Sequence, residues 1–168
     1  MRQRSLVALT ALLLGACTGA QTQSSEPPSQ AAAASGPVAR IGSLERQPLV
    51  AGRCGLFIWM RGDRSRLILH ADSTMPSARV QVDGAERIVA RTAAEGGQTF
   101  QDFNRLTYEA EGLIVNLNMQ VERRPDVIGG AVIPRGAVRF TFDDGAAVVL
   151  PVGGIIACKG PEGGETGK

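Results

Sequence analysis

The chain has 168 residues, of which 43% are hydrophobic and 20% are charged, and its formal net charge is +2. Arg2 and Arg4 account for this excess: without them the 18 Lys and Arg become 16, equal to the 16 Asp and Glu. Beyond its first residues the chain has balanced charge. It therefore lacks the basic surface with which proteins bind nucleic acids or anionic membranes. The composition therefore excludes a role in nucleic-acid binding.

The first sixteen residues have the three parts of an export signal. Arg2 and Arg4 form a basic start, residues 6–14 are mostly apolar, and two small residues follow. The apolar run is far shorter than the roughly 20 residues that a helix needs to cross a bilayer. Residues 1–16 are therefore predicted to be a signal peptide rather than a membrane span.

Leu14-Gly15-Ala16-Cys17 resembles the lipobox of bacterial lipoproteins. In that class the cysteine is acylated on sulfur, becomes the new N-terminus and is acylated again on its amine. Each buried CH₂ contributes about 0.8 kcal/mol, so two or three acyl chains hold a protein on a membrane. The resemblance implies lipidation at Cys17; an ordinary signal peptide with an incidental cysteine is the alternative.

The residue after the cysteine bears on localisation. Position 18 is Thr rather than the Asp that retains many enterobacterial lipoproteins in the inner membrane. The resemblance therefore implies anchoring in the outer membrane on its periplasmic face, in preference to the inner membrane.

Residues 17–41 are predicted to be the lipidated cysteine and a flexible tether. Gln, Ser, Ala and Pro dominate this segment, and such a composition buries too little apolar surface to fold. The Gly-rich, polar residues 159–168 are predicted to be a flexible tail. One domain remains, residues 42–158, which is long enough for a single hydrophobic core.

The predicted domain has the period-two pattern of β-strands. Between Leu113 and Glu122 the odd positions are all aliphatic and the even positions are mostly polar, which places the apolar side chains on one face. Glycines beside acidic residues supply the turns of hairpins. Four hairpins are predicted in this way: 55–60 with 66–71, 78–82 with 86–92, 106–110 with 113–122, and 137–142 with 146–152.

Eight or nine strands joined by short turns predict an all-β fold. We expect a single small antiparallel meander that closes, or nearly closes, into a barrel. A β-sandwich has the same turn spacing and is the alternative. Residues 155–158 are predicted to be a short closing strand, and residues 97–105 to hold at most one helical turn.

Cys54 and Cys158 lie at the two ends of this strand region. With Cys17 acylated, they form an even pair in an oxidising compartment, which predicts a disulfide that joins the first and last strands. Two free thiols or a metal pair are the alternatives. The chain has one histidine, His70, and no Cys-x-x-Cys motif, so neither a metal nor another cofactor is expected.

The sequence offers little for catalysis. His70 and Asp72 share one face of a predicted strand, a pattern far more typical of a solvated face than of an orienting catalytic pair. No serine lies in a Gly-x-Ser-x-Gly elbow, and no thiol remains as a nucleophile. Asp143-Asp144-Gly145 is better explained as a hairpin turn than as a pair of catalytic carboxylates. We therefore expect a protein that is not an enzyme.

Two longer loops are the candidates for a partner-binding surface. Residues 95–105 carry Phe100 and Phe103, and residues 123–136 carry Arg123 and Arg124. A rigid β scaffold that presents loops is a common binding arrangement. The alternative is that the two aromatic rings cap one end of the barrel and the arginines are solvated.

These features predict a lipid-anchored, periplasm-facing lipoprotein with a non-enzymatic binding or structural role in the cell envelope. The expected partners are the membrane, through the anchor, and an envelope protein or peptidoglycan. One alternative is an inhibitor module, since small lipid-anchored β-barrels with one disulfide resemble the membrane-bound lysozyme inhibitors in plan. The other is a barrel that carries a small hydrophobic ligand.

Overall fold

The computed structural model describes residues 36–99 and 102–161, apart from the side chain of Ser65. The predicted signal peptide, Cys17, the chain up to residue 35, Phe100 and residues 162–168 lie outside the described residues. Among the residues described, no helix has the length and apolar character needed to cross a membrane.

Eight antiparallel strands make up the fold. They are β1 (Cys54–Met60), β2 (Asp63–Asp72), β3 (Ser77–Val82), β4 (Ala85–Thr99), β5 (Asp102–Ala110), β6 (Leu113–Glu122), β7 (Gly130–Phe142) and β8 (Ala147–Cys158). Each strand pairs with the next, and β8 pairs with β1, so the sheet closes into a barrel. The predicted all-β meander and its closure are confirmed, and the sandwich alternative is excluded.

The four predicted hairpins are all present, as β1–β2, β3–β4, β5–β6 and β7–β8. The β3–β4 connection shows how local chemistry sets them. Asp83 and Gly84 both have positive φ, 52° and 79°. A two-residue hairpin turn needs positive φ at both central residues if its twist is to match that of the flanking strands. Aspartate tolerates this conformation better than most residues.

Two predicted loops are shorter than their sequence suggested, and the described residues of the segment 97–105 are strand rather than a helical turn. Strands β4 and β5 extend into residues 97–105, where Gln98 pairs with Phe103 and Thr99 with Asp102. Strand β7 begins at Gly130, inside the loop predicted for residues 123–136. Gly130 pairs with Ala157, because β8 continues without a break to Cys158. The β7 extension depends on pairing with β8, a segment distant in sequence, which a local pattern does not contain. The β4–β5 extension is instead a hairpin between residues close in sequence.

The barrel interior is filled by apolar side chains from all eight strands. Strand β6 shows the predicted alternation, since Leu113, Val115, Leu117 and Met119 are buried and the intervening side chains are exposed. Tyr108 and Phe140 are the bulkiest of the core's fully buried side chains. An eight-stranded barrel is just wide enough for its own side chains to fill it, and here they do.

Ordered packing begins before residue 42, the boundary predicted for the domain. Pro37–Arg40 forms a 3₁₀ turn, and Ile41 is only 2% exposed and belongs to the core. The Arg40 guanidinium binds Asp83 at 2.7 Å and Asp144 at 2.8 Å, and lies over the Phe142 ring. These contacts fix the end of the segment that was predicted to be a tether.

Residues 43–50 then cross the outer surface of β1 and β2; we call this segment the strap. The Leu44 N–H donates to the Leu67 carbonyl at 2.7 Å. Leu44, Phe57 and Leu67 form a second buried cluster on the outside of the barrel, against which Leu49 and Trp59 pack. Part of the outer wall is therefore covered by the strap and buried.

The predicted disulfide between Cys54 and Cys158 is confirmed. The two cysteines are direct partners in the pairing of β1 with β8. The bond therefore lies at the seam where the meander closes.

Candidate functional site

The two loops singled out from the sequence have different roles. Phe103 is partly buried and packs against the core, which favours a role in packing over one in partner binding. Phe100 lies outside the described residues. Arg123 and Arg124 are exposed on the connection between β6 and β7, and Arg124 lines the groove described next.

A groove of about 610 Å³ runs over the outer wall of the barrel. Its apolar lining includes Trp59, Val132, Pro134 and Ile155, and its charged lining consists of Arg61, Arg64 and Arg124. We call it the arginine groove. The volume is in the range of sites that hold small molecules or short segments of chain.

The groove exists because side chains are missing from the middle of the wall. Gly153 on β8 pairs with Trp59 on β1, so the outer face has an indole on one strand and no side chain beside it. On the other side, β7 loses regular register with β8 between Ile133 and Gly136. Pro134, within this irregular stretch, has no N–H to donate to β8. A local gap in the sheet surface results.

Trp59 is held in one orientation. Its ring stacks on that of Phe57, with centroids 6.0 Å apart and an interplanar angle of 16°. Phe57 is itself only 8% exposed and lies in the cluster beneath the strap. A ligand that contacts the indole therefore meets a surface that is already ordered, which lowers the entropy cost of binding.

The charged side chains that line the groove are all positive. Its lining contains three arginines, and none of its residues, all within the described part of the chain, is acidic. Arg124 binds Asp126, with two N–O distances of 3.2 Å, but both side chains are more than half exposed. Such a pair is weak and can exchange for a ligand. Guanidinium groups bind carboxylates and phosphates through two parallel hydrogen bonds.

His70 and Asp72 do not form an orienting pair. The Asp72 carboxylate accepts hydrogen bonds from the N–H and hydroxyl of Thr74, at 2.9 and 2.7 Å, and from Arg53 at 3.1 Å. The His70 ring lies 4.7 Å from that of Phe57. Burial, together with the charge of Arg79, lowers the pKa of His70. Asp72 thus stabilises the β2–β3 turn, and His70 packs against Phe57.

A buried carboxyl group lies at the start of β5. Asp102 is 1% exposed, and its Oδ2 has no hydrogen-bond partner. Burial raises the pKa of Asp102 to about 7, although the positive charge of Arg91 acts to lower it. Burial also raises the pKa of Tyr108 in the same core. Within the described residues, no group of three His, Cys, Asp or Glu side chains is placed to hold a metal ion.

Sequence reasoning identified only one residue of the groove, Arg124. Trp59 carried a usable signal, since it is the single tryptophan of the chain and alternates with aliphatic residues at the end of a strand. Gly153 and Pro134 gave no such signal, because their effect on the shape of the wall depends on which strands lie beside them. Asp102 was hidden for the same reason, inside a stretch that looked like a polar loop.

The chain matches no protein-family model, and no curated protein or solved structure matches it. Its function is therefore inferred from its own residues and their geometry. The arginine groove and the predicted lipid anchor carry that inference.

Proposed function

We propose that the protein is a lipid-anchored lipoprotein of the cell envelope that binds an anionic ligand in the arginine groove and catalyses no reaction. The observation that carries the proposal is the groove itself, where an ordered indole and three arginines line one concave surface without an acidic residue. Tryptophan and arginine are the side chains most enriched among residues that dominate binding energy. The lipobox resemblance at Cys17 supports the envelope location, with the outer membrane and its periplasmic face preferred.

The rest of the barrel is suited to be a scaffold. Its interior is filled by side chains such as Tyr108 and Phe140, which counts against a hydrophobic ligand carried inside the barrel. The disulfide between Cys54 and Cys158 holds the seam beside the groove. A fixed wall that presents a groove is better suited to recognition than to a reaction that needs moving parts.

Binding is tested by crosslinking in intact cells with a tag after Lys168. Arg64→Glu reverses one charge of the groove, and Arg139→Glu, on β7 outside the groove, is the matched control. We expect a defined set of envelope proteins or peptidoglycan fragments to be enriched by the wild type and by Arg139→Glu, and lost with Arg64→Glu. The same enriched set from all three proteins would overturn the proposal.

The anchor is tested separately by metabolic labelling with an alkyne-bearing fatty acid. The wild type should incorporate the label and sediment with membranes, whereas Cys17→Ser should do neither. An unlabelled wild type found in the soluble fraction would overturn the lipoprotein part of the proposal. In a lysozyme lysis assay, inhibition that persists in Arg64→Glu would instead support the inhibitor alternative.

A further inference from the structure

The distribution of charge along the arginine groove indicates the shape of its ligand. Gly130, at the start of β7, pairs with Ala157, next to the disulfide. The β6–β7 connection with Arg124 is therefore at the disulfide end of the barrel, whereas Arg61 and Arg64 flank the β1–β2 turn at the other end. The groove thus follows the strands and carries positive charge at both ends.

The middle of the groove is apolar. Between the arginines lie Trp59, Val132 and Ile155, with the backbone of Gly153 beside the indole. Ile155 is 38% exposed, so its side chain is available to a ligand. The uncharged lining offers no hydroxyl, amide or carboxylate side chain. Hydrocarbon is therefore favoured at the centre over the hydroxyl-rich surface of a glycan.

We infer that the arginine groove binds an extended acidic peptide segment of a partner protein. An apolar side chain of the peptide packs between Trp59 and Ile155, and carboxylates on either side of it bind Arg124 at one end and Arg61 and Arg64 at the other. Clusters of arginine are a recurrent means of recognising acidic motifs. This inference rests on the proposed function, because it names the ligand class of the same groove.

Other anions fit the groove less well. A single phosphate or lipid headgroup would engage the arginines of one end only, and the flat surface of a bilayer does not enter a concave groove. A peptidoglycan strand supplies carboxylates but presents polar sugar to the apolar centre. An acidic peptide with one apolar residue satisfies the charge at both ends and the apolar lining between them.

The experiment uses the detergent-solubilised full-length lipoprotein, immobilised by a tag after Lys168, to select from a random peptide library. We expect enrichment of peptides in which acidic residues flank an apolar one. Selection with Arg64→Glu should lose this pattern, and selection with Arg139→Glu should retain it. Enrichment of peptides without acidic residues, or the same peptides with all three proteins, would overturn the inference.

Affinity is then measured through Trp59, the only tryptophan of the chain, whose fluorescence reports occupancy of the groove directly. A synthetic peptide of the enriched sequence should change this fluorescence. It should bind Arg64→Glu at least about tenfold more weakly, as loss of a charge-assisted hydrogen bond predicts, and Arg139→Glu within about twofold. Equal affinities for Arg64→Glu and the wild type would contradict the inference.

Two further titrations separate the peptide inference from the proposed function. Vesicles of anionic phospholipid and soluble peptidoglycan fragments are added in place of the peptide. If one of them changes Trp59 fluorescence in an Arg64-dependent manner and acidic peptides do not, the peptide inference fails and the binding function stands. If none of the three does so, and crosslinking is also independent of Arg64, both fail.

Discussion

Cys54 on β1 and Cys158 on β8 are cross-strand partners joined by a disulfide, although 104 residues separate them in the chain. Among the described strands, the bond closes the barrel where the first strand meets the last. Trp59 and Gly153 lie on the same two strands. The stability of this seam therefore bears on the wall that contains the groove.

Replacing both cysteines with alanine should lower the free energy of unfolding by about 2–4 kcal/mol. A closed loop of this length restricts the unfolded chain strongly. Urea denaturation followed by Trp59 fluorescence measures the change. Addition of a thiol reductant should destabilise the wild type and leave the double variant unaffected. An unchanged denaturation midpoint in the variant would contradict the prediction.

Ile41→Ala should destabilise the protein by about 2–5 kcal/mol, because it opens a cavity in the core. Ile41 is 2% exposed, although it was predicted to belong to the tether. Val38→Ala is the matched control, since Val38 is 41% exposed and should shift stability by less than about 0.5 kcal/mol. Thermal and urea denaturation of both variants test this difference; equal effects would show that Ile41 is not part of the core.

Asp102 should make stability fall as the pH rises. Its pKa is about 7 in the folded chain and about 3.9 when unfolded, so folding binds a proton between these values. The stability present below about pH 4 is therefore lost progressively up to about pH 7. The difference between the two pKa values limits this loss in the free energy of unfolding to about 4 kcal/mol.

Asp102→Asn keeps the shape of the side chain and removes its titration. The variant should gain stability relative to the wild type as the pH rises from about 4 to about 7, and the gain should then level off. Urea denaturation of both proteins across this range measures the difference, in which the titration of other groups cancels. Parallel pH profiles would show that Asp102 is not buried as a neutral acid.

Gly154→Ala should destabilise the β1–β8 seam by about 1–3 kcal/mol. A Cβ at this position would collide with the Phe57 carbonyl oxygen on the neighbouring strand, so the two strands would have to move apart. Gly160→Ala is the control, because a Cβ there meets no atom within 4 Å. Thermal denaturation of the two variants checks the prediction, and a Gly154→Ala protein as stable as the control would contradict the close approach.

Local patterns were sufficient to predict the four hairpins, although not the full length of their strands. The alternation between Leu113 and Met119, and the acid–glycine turn at Asp83-Gly84, each act over a few residues, and the structure confirms them. The disulfide between Cys54 and Cys158 was also predictable, because pairing the two cysteines that remain when Cys17 is set aside as the predicted acylation site requires no knowledge of strand geometry.

The groove was largely invisible to the same reasoning. Arg124 and Arg64 are 60 positions apart in the numbering, and they line one surface only because β7, β8, β1 and β2 are neighbours around the barrel. Gly153 matters only because Trp59 lies opposite it. Such effects arise from pairing between strands, which a single segment does not encode.

The sequence by itself determined the all-β character, the hairpins and the cysteine pair, because each depends on side-chain chemistry or periodicity over short stretches; the export signal stays a prediction. Only the tertiary structure decided that the meander closes, that Ile41 and Asp102 are buried, and that Trp59 shares a groove with three arginines. Burial and the assembly of a site depend on which distant strands become neighbours, and closure of the barrel is what makes them so.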